Sequence, residues 1–206
     1  MDKILFSLFL ITISLVSFVQ KEIKIGKQVW MISNLNVEKF QNGDVIPEAK
    51  TFGAWQEAGS NKKPVWCYYG NDPKNGEKYG KLYNWYAVND PRGLAPKGWH
   101  VATDKEWTEL VAFLGNNEAA ADKLKAKSGW EEEGNGNNSS GFSAMPGGLR
   151  DYSGEFNYAL KGGYWWTATE ETQFNAWDYM LLYRYGNVNR YSNDKSSGYS
   201  VRCVKN

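Results

Sequence analysis

The side chains able to do chemistry are few in this chain. His100 is the single histidine, and Cys67 and Cys203 are the two cysteines. Zinc, iron–sulfur and haem sites draw on more His and Cys donors than that, so no metal and no cofactor is expected. His100 follows Trp99 directly, and a catalytic histidine needs a nucleophile or an orienting acid beside it. Nothing in the sequence brings such partners to it, and a packed histidine bonded to backbone is the expectation. The acids cluster as Glu131-Glu132-Glu133 and Glu170-Glu171. A glycosidase sets two carboxylates across a cleft, whereas adjacent acids form a solvated face. No catalytic residue is assigned, and the chain is not expected to be an enzyme.

Binding chemistry is better supplied. Tyr69, Asn71 and Asp72 set oxygen side chains beside an aromatic segment, Trp66-Cys67-Tyr68-Tyr69. Such a group suits a sugar or a hard cation, although Asn-Asp-Pro is also ordinary turn chemistry. Farther on come Trp177, Asp178, Tyr183, Arg184 and Tyr191. In a strand, Trp177, Tyr179, Leu181 and Tyr183 share one face, and Asp178, Met180, Leu182 and Arg184 share the other. The chain carries 10 Trp, 13 Tyr and 9 Phe, 16% of its residues. Core packing accounts for about half of the aromatics in this stretch, and the remainder is expected to include a surface that stacks on pyranose rings or docks a protein. A net charge of +1 lacks the concentrated positive field that binds nucleic acid or an anionic membrane.

The elements that must position these residues follow from patterning. Residues 1–20 open with Met-Asp-Lys and continue as an apolar run, shorter than the ~20 residues of a membrane span, and read as a secretory signal peptide. No cysteine follows that run before Cys67, so a lipid anchor is not expected. The mature chain, from about residue 21, is then secreted, periplasmic or on the cell surface, with no membrane span. Export permits a Cys67–Cys203 disulfide; the alternative is two buried thiols.

Ile23 and Ile25 alternate with polar residues, Gly26-Lys27 turns, and Val29–Ile32 returns, which spells a hairpin. Residues 41–64 show no periodicity and read as an irregular loop. Val65–Tyr69 reads as a strand and Tyr79–Val88 as a helical stripe. Thr103 and Glu106 form a capping box ahead of Trp107, Leu110, Val111 and Leu114, one face of a helix that Gly115 ends. A second helix spans Glu118–Lys127. Residues 131–140 read as a mobile loop. Short strands follow at Phe142–Met145, Gly163–Thr167, Ala176–Tyr183 and Tyr199–Val204, with a polar loop over 186–198. The sum is one α+β domain over 21–206, with two or three helices, short antiparallel strands and long irregular loops.

Taken in order, IGKQVWMISNLNV, PVWCYYGNDP, YGKLYNWYAV, GLAPKGWHVATDKEWTEL, LKAKSGW, GFSAMPGG, GGYWWTATE and GYSVRCVKN resemble the Fibrobacter succinogenes major paralogous domain, a module of exported bacterial proteins. Within it, GWHVATDKEW, GGYWWT and GYSVRCV are similar to segments of the formylglycine-generating enzyme group. That resemblance implies a C-type-lectin-like fold in which N- and C-terminal strands pair. The group's reactive cysteine pair is not reproduced, and neither are the calcium-binding tripeptides of sugar-binding C-type lectins. The family's frequent cysteine before the Pro of GLAPKGWH is replaced by Ala95, so a family-type bridge to Cys203 is not available, and inert thiols are expected. The implied role is a non-catalytic envelope module whose partner is a glycan or an envelope protein.

Overall fold

Gly26, at φ +60°, turns the chain from β1 (Glu22–Ile25) into β2 (Gln28–Met31), the expected hairpin. In the computed structural model, residues 21–206 are described; the expected export signal at 1–20 lies outside the described residues. Ten further strands follow: β3 (Trp66–Cys67), β4 (Leu82–Asn84), β5 (Trp99–Val101), β6 (Gly147–Arg150), β7 (Phe156–Ala159), β8 (Gly162–Glu170), β9 (Asn175–Leu182), β10 (Val188–Asp194), β11 (Gly198–Val201) and β12 (Cys203–Lys205). One sheet has the order β1-β2-β12-β5; the other runs β10-β9-β8-β6-β11-β4-β3, with β7 paired to β6. Among these strands, β6–β8 and β11–β8 pair in parallel and the rest antiparallel. Val204 faces Trp30 across the β12–β2 pair, so the last strand joins the N-terminal hairpin through β2.

The class is α+β as expected, with more helix than the sequence suggested. Five α-helices are described: α1 (Phe52–Ser60), α2 (Pro73–Tyr79), α3 (Trp85–Val88), α4 (Asp104–Phe113) and α5 (Asn116–Leu124). Helix α1 lies where an irregular loop was expected. Thr51 caps it by accepting from the Ala54 amide at 3.1 Å, but only Trp55, Ala58 and Gly59 are buried, too narrow a stripe to show as periodicity. Asp72-Pro73, read as a turn, caps and starts α2. The stripe at Tyr79–Val88 divides into β4 and α3, because β4 pairs with both β3 and β11 and Asn84 then caps α3.

Two strand readings also change. Phe142–Met145 makes only an isolated bridge at Ala144: Gly141 and Ser143 hold positive φ, and Pro146 has no amide to donate. The segment read as a loop over 186–198 contains β10, in register with β9 from Val188↔Leu181 to Asp194↔Asn175. It is an edge strand with one neighbour, so its sequence needs no apolar alternation.

Helix α4 is as expected. Thr103 and Glu106 form the capping box, and Trp107, Leu110, Val111 and Leu114 are buried against Trp30, Phe142, Trp165 and Tyr179. Arg202 stands where the chain passes from β11 into β12, one sheet to the other. Its guanidinium donates to the carbonyls of Met31 and Phe142 at 2.8 Å, of Ser143 at 3.1 Å, and to Asn34 Oδ1 at 2.8 Å.

Candidate functional site

The β9–β10 hairpin carries most of the residues singled out for binding, and register sorts them onto two faces. Tyr179 lies opposite Arg190, and Leu181 opposite Val188. This face meets the helices: Tyr179 stacks on Trp107 with centroids 4.9 Å apart and its hydroxyl lies 2.9 Å from Thr108 Oγ1. Burial pushes that phenol up to about 12. Trp177 sits at the end of the same face under Arg190, whose guanidinium carbon is 3.3 Å from the indole centroid. Asp104, at the start of α4, takes Arg190 in a fork, Nε to Oδ1 at 2.6 Å and Nη2 to Oδ2 at 2.9 Å. Trp177 and Arg190 are therefore held rigidly between strand and helix.

Beside this clamp, three depressions adjoin along α5 and the hairpin. The first, about 350 Å³, lies between Thr108, Asn116, Asn117, Val188 and Arg190. The second, about 480 Å³, shares Asn117 and adds Glu118, Gly186 and Asn187. The third, about 250 Å³, shares Gly186 and adds Asn135, Tyr183, Arg184 and Tyr185. Together they form one open groove. Lys125 fixes its far end, donating to the carbonyls of Leu182 at 2.7 Å and Tyr185 at 3.2 Å. Its burial holds the ammonium below its ordinary pKa.

The loop over 131–140, expected to be mobile, is tied to the floor of this groove. The amide of Gly136 donates to Ala126 O, and that of Asn137 to Asp122 O, both at 3.0 Å. A Cβ on Gly136 would lie 2.3 Å from the Asp122 carbonyl, so glycine alone permits this approach. Arg184 bonds Glu132 twice at the surface, at 2.9 and 2.6 Å. Glu131 pairs with Lys161, and Glu170 with Lys195.

On the opposite face, Asp178 is fully buried and lies in register with Tyr191 on β10 and Trp166 on β8. Asn193 Nδ2 donates to its Oδ1 at 2.7 Å; its Oδ2 is buried with no partner. Burial pushes this carboxyl up to about 7.

Tyr69, Asn71 and Asp72 are not part of either face. Tyr69 packs on Phe156 of β7 with centroids 5.2 Å apart, and Asp72 Oδ1 accepts from the Lys74 amide at 3.0 Å, capping α2. His100 is bonded through side chains rather than backbone, to Asn206 Oδ1 and Glu106 Oε1, both at 2.7 Å. Glu106 is the acid of the capping box, so the imidazole braces the start of α4. Cys67 and Cys203 are free and buried in separate clusters, each thiol pushed up to about 12 by burial.

The aromatic and polar stretch picked out in the sequence supplies Tyr183, Arg184, Tyr185, Asn187 and Arg190 to the lining of these depressions, whereas Asn116 and Asn117 were not singled out. The one available signal was Gly115-Asn116-Asn117, which must turn between two helices. Asn116 takes φ +85° there. Among the described residues, no helix is long and apolar enough to cross a membrane. No curated protein and no solved structure matches the chain. The family model for the Fibrobacter succinogenes major domain matches residues 23–205, which include both sheets, the groove and the Asp178 face, and the chain belongs to that family.

Proposed function

We propose that this protein is an exported, non-catalytic binding module of the bacterial cell envelope, and that the groove between α5 and the β9–β10 hairpin takes a glycan. The observation that carries this reading is the run of three adjoining depressions walled by amides, guanidinium groups and an exposed ring. Asn116 and Asn135 accept through Oδ1 from the Ala119 and Trp130 amides and keep their NH2 groups as donors. Asn187 donates to Asn189 and keeps its oxygen as an acceptor, Asn117 adds a further amide, and Tyr185, 60% exposed, offers a face for a pyranose. An open, elongated groove suits a chain of sugars better than one enclosed residue. Asn116 keeps a left-handed backbone at the groove wall, a conformation costing about 1–3 kcal/mol that tends to persist at functional sites.

Export rests on the apolar run at 1–20, and the pairing of β2 with β12 supports the lectin-like likeness. The non-catalytic reading rests on the acid runs, whose Glu131, Glu132 and Glu170 are engaged by cations. A formylglycine-type reaction would need a reactive Cys203, and that thiol is buried and hard to ionise. Native gels cast with plant, mucin or bacterial polysaccharides test the reading. At least one should retard the protein, and Tyr185→Ala should weaken that retardation about tenfold, the loss of one stacking contact of roughly 1.4 kcal/mol. No retardation on any polysaccharide, with a stoichiometric envelope protein co-purifying instead, would replace glycan binding by docking on a protein complex.

A further inference from the structure

We propose that the groove selects a glycan built of amino sugars, whose free ammonium groups seat against Glu118 and Glu133; this rests on the glycan reading of that groove. Arg190 lines the first depression, and Lys125 and Arg184 line the third. Each of these cations is already engaged. Asp104 holds Arg190 and Glu132 holds Arg184, each through two bonds. Lys125 donates to the carbonyls of Leu182 and Tyr185. Of the acids that line the groove, Asp122 accepts from the backbone amide and the side chain of Asn137. Glu118, in the second depression, and Glu133, in the third, make no side-chain hydrogen bond or ion pair among the described residues. The charges left unmatched in the groove are therefore both negative.

The fold holds both carboxylates within reach of a ligand. Both residues are exposed, and Glu118 stands in the first turn of α5. Glu132 and Glu133 hold left-handed backbone, at φ +46° and +62°, a strained state that persists where function retains it. The next residue, Gly134, packs so tightly that a Cβ would lie 2.7 Å from the Tyr183 backbone, which fixes Glu133 beside the hairpin. A metal ion is a poor fit, because a hard cation wants several oxygen ligands and these two carboxylates belong to different depressions. A uronic acid would meet two free carboxylates and would have to draw Arg190 or Arg184 away from its acid. A neutral sugar would accept or donate hydrogen bonds and leave both charges uncompensated. An ammonium group on the sugar ring donates to a carboxylate and cancels its charge. The exposed ring of Tyr185 offers the same cation a negative face.

Calorimetry on the full chain with three tetrasaccharides decides the matter: the β-1,4 tetramer of glucosamine, the same tetramer fully N-acetylated, and tetragalacturonate. The amine should bind about tenfold more tightly than its acetylated form, from two exposed ion pairs worth a few-fold each, and the uronate should bind most weakly. In 1 M salt the preference should largely vanish. Glu118→Gln and Glu133→Gln should each weaken the amine about threefold and leave the acetylated tetramer unchanged, and the double variant should bind the two alike. Glu171→Gln, which removes an exposed acid that lines none of the three depressions, should change nothing. An acetylated tetramer that binds as tightly as the amine, or a double variant that keeps the preference, would overturn this proposal and leave the glycan reading standing. If no tetramer binds, the proposal falls, and the polysaccharide gels show whether the glycan reading falls with it.

Discussion

Arg202 and Asp178 are both charged residues with essentially no exposed surface, 1% and 0%, and the fold treats them in opposite ways. Around Arg202, three carbonyls and one side-chain oxygen take up the guanidinium. The ring of Phe142 lies beneath it at 4.3 Å. No carboxylate pairs with it, and burial alone lowers its pKa to about 9, yet it is the joint through which one sheet passes into the other. Around Asp178, one oxygen is met by Asn193 and the other by nothing. The first residue is a completed knot, and the second is a buried carboxyl left half-paired, as Trp55 Nε1, Asn71 Oδ1 and Trp107 Nε1 are left unpaired elsewhere in the fold. Completed hydrogen bonding stabilises a fold, whereas an orphaned buried polar atom is retained at a cost that stability alone does not explain.

Removing Arg202 tests the first half of this contrast with the largest expected effect. Arg202→Met keeps much of the aliphatic stem and takes the guanidinium donors from the carbonyls of Met31, Phe142 and Ser143, while Asn34 Oδ1 keeps its bond from Trp165 Nε1. Leaving buried carbonyls without a donor costs about 1–3 kcal/mol each, so the sum should reach several kcal/mol. For a chain of this size that lowers Tm by roughly 10 °C or more. A variant melting within a few degrees of wild type would show that Arg202 is not the knot the geometry describes.

Asp178 should behave in the reverse sense, and only above acid pH. Its folded pKa, about 7, lies above the ordinary 3.8, so the folded protein keeps the proton through a range where the unfolded chain releases it. Stability therefore falls as pH rises from about 4 to about 7 and stays reduced beyond. Asp178→Asn has no proton to lose. The variant should match wild type near pH 4 and exceed it at pH 8 by up to about 4 kcal/mol, from roughly three pKa units at 1.36 kcal/mol each. A variant less stable than wild type at pH 8 would mean that the carboxylate is compensated after all.

The two regions also differ in how far the sequence disclosed them. Helix α4 was legible because its determinants are local: Thr103 and Glu106 three residues apart, then four apolar residues at helical spacing. The pairing of the N-terminal hairpin with the last strand, β2 with β12, followed from the family likeness. Helix α1 was hidden because tertiary contacts, not its own stripe, hold it. A Cβ on Gly198 would lie 2.7 Å from the Trp55 ring, a closeness visible only in three dimensions. β10 was hidden because an edge strand with polar residues on its outer face has the composition of a loop. Asp178 was picked out for its place among aromatics, but its burial depends on Trp166 and Tyr191, brought to it by β8 and β10. The groove was less legible still. It exists because Lys125, 57 residues before Leu182, clamps the hairpin onto α5, and spacing along the chain contains no trace of that.

The two arginines of the groove give the finest version of the contrast, and the smallest effects. Arg190 is a smaller relative of Arg202: its charge is shared by a two-pronged bond to Asp104 and by the Trp177 ring, and its side chain is 40% exposed. Arg184 has a carboxylate partner in Glu132, but both side chains are more than half exposed, where water and salt screen the pair and ordering two long side chains offsets the attraction. Arg190→Ala should cost about 1 kcal/mol, the usual scale of a partly exposed fork with a cation–π contact, and thermal melts would show a drop of a few degrees. Arg184→Ala should leave Tm where it was. The same two substitutions in 1 M salt separate the causes. Screening shortens the reach of charge to about 3 Å but leaves the indole packed against the guanidinium, so Arg190 should retain part of its contribution. A loss for Arg184→Ala equal to that for Arg190→Ala would show that partner identity, rather than enclosure, sets the worth of a charge on this hairpin. That outcome would weaken the contrast between Arg202 and Asp178 as well, since it rests on enclosure making every unmet hydrogen bond count.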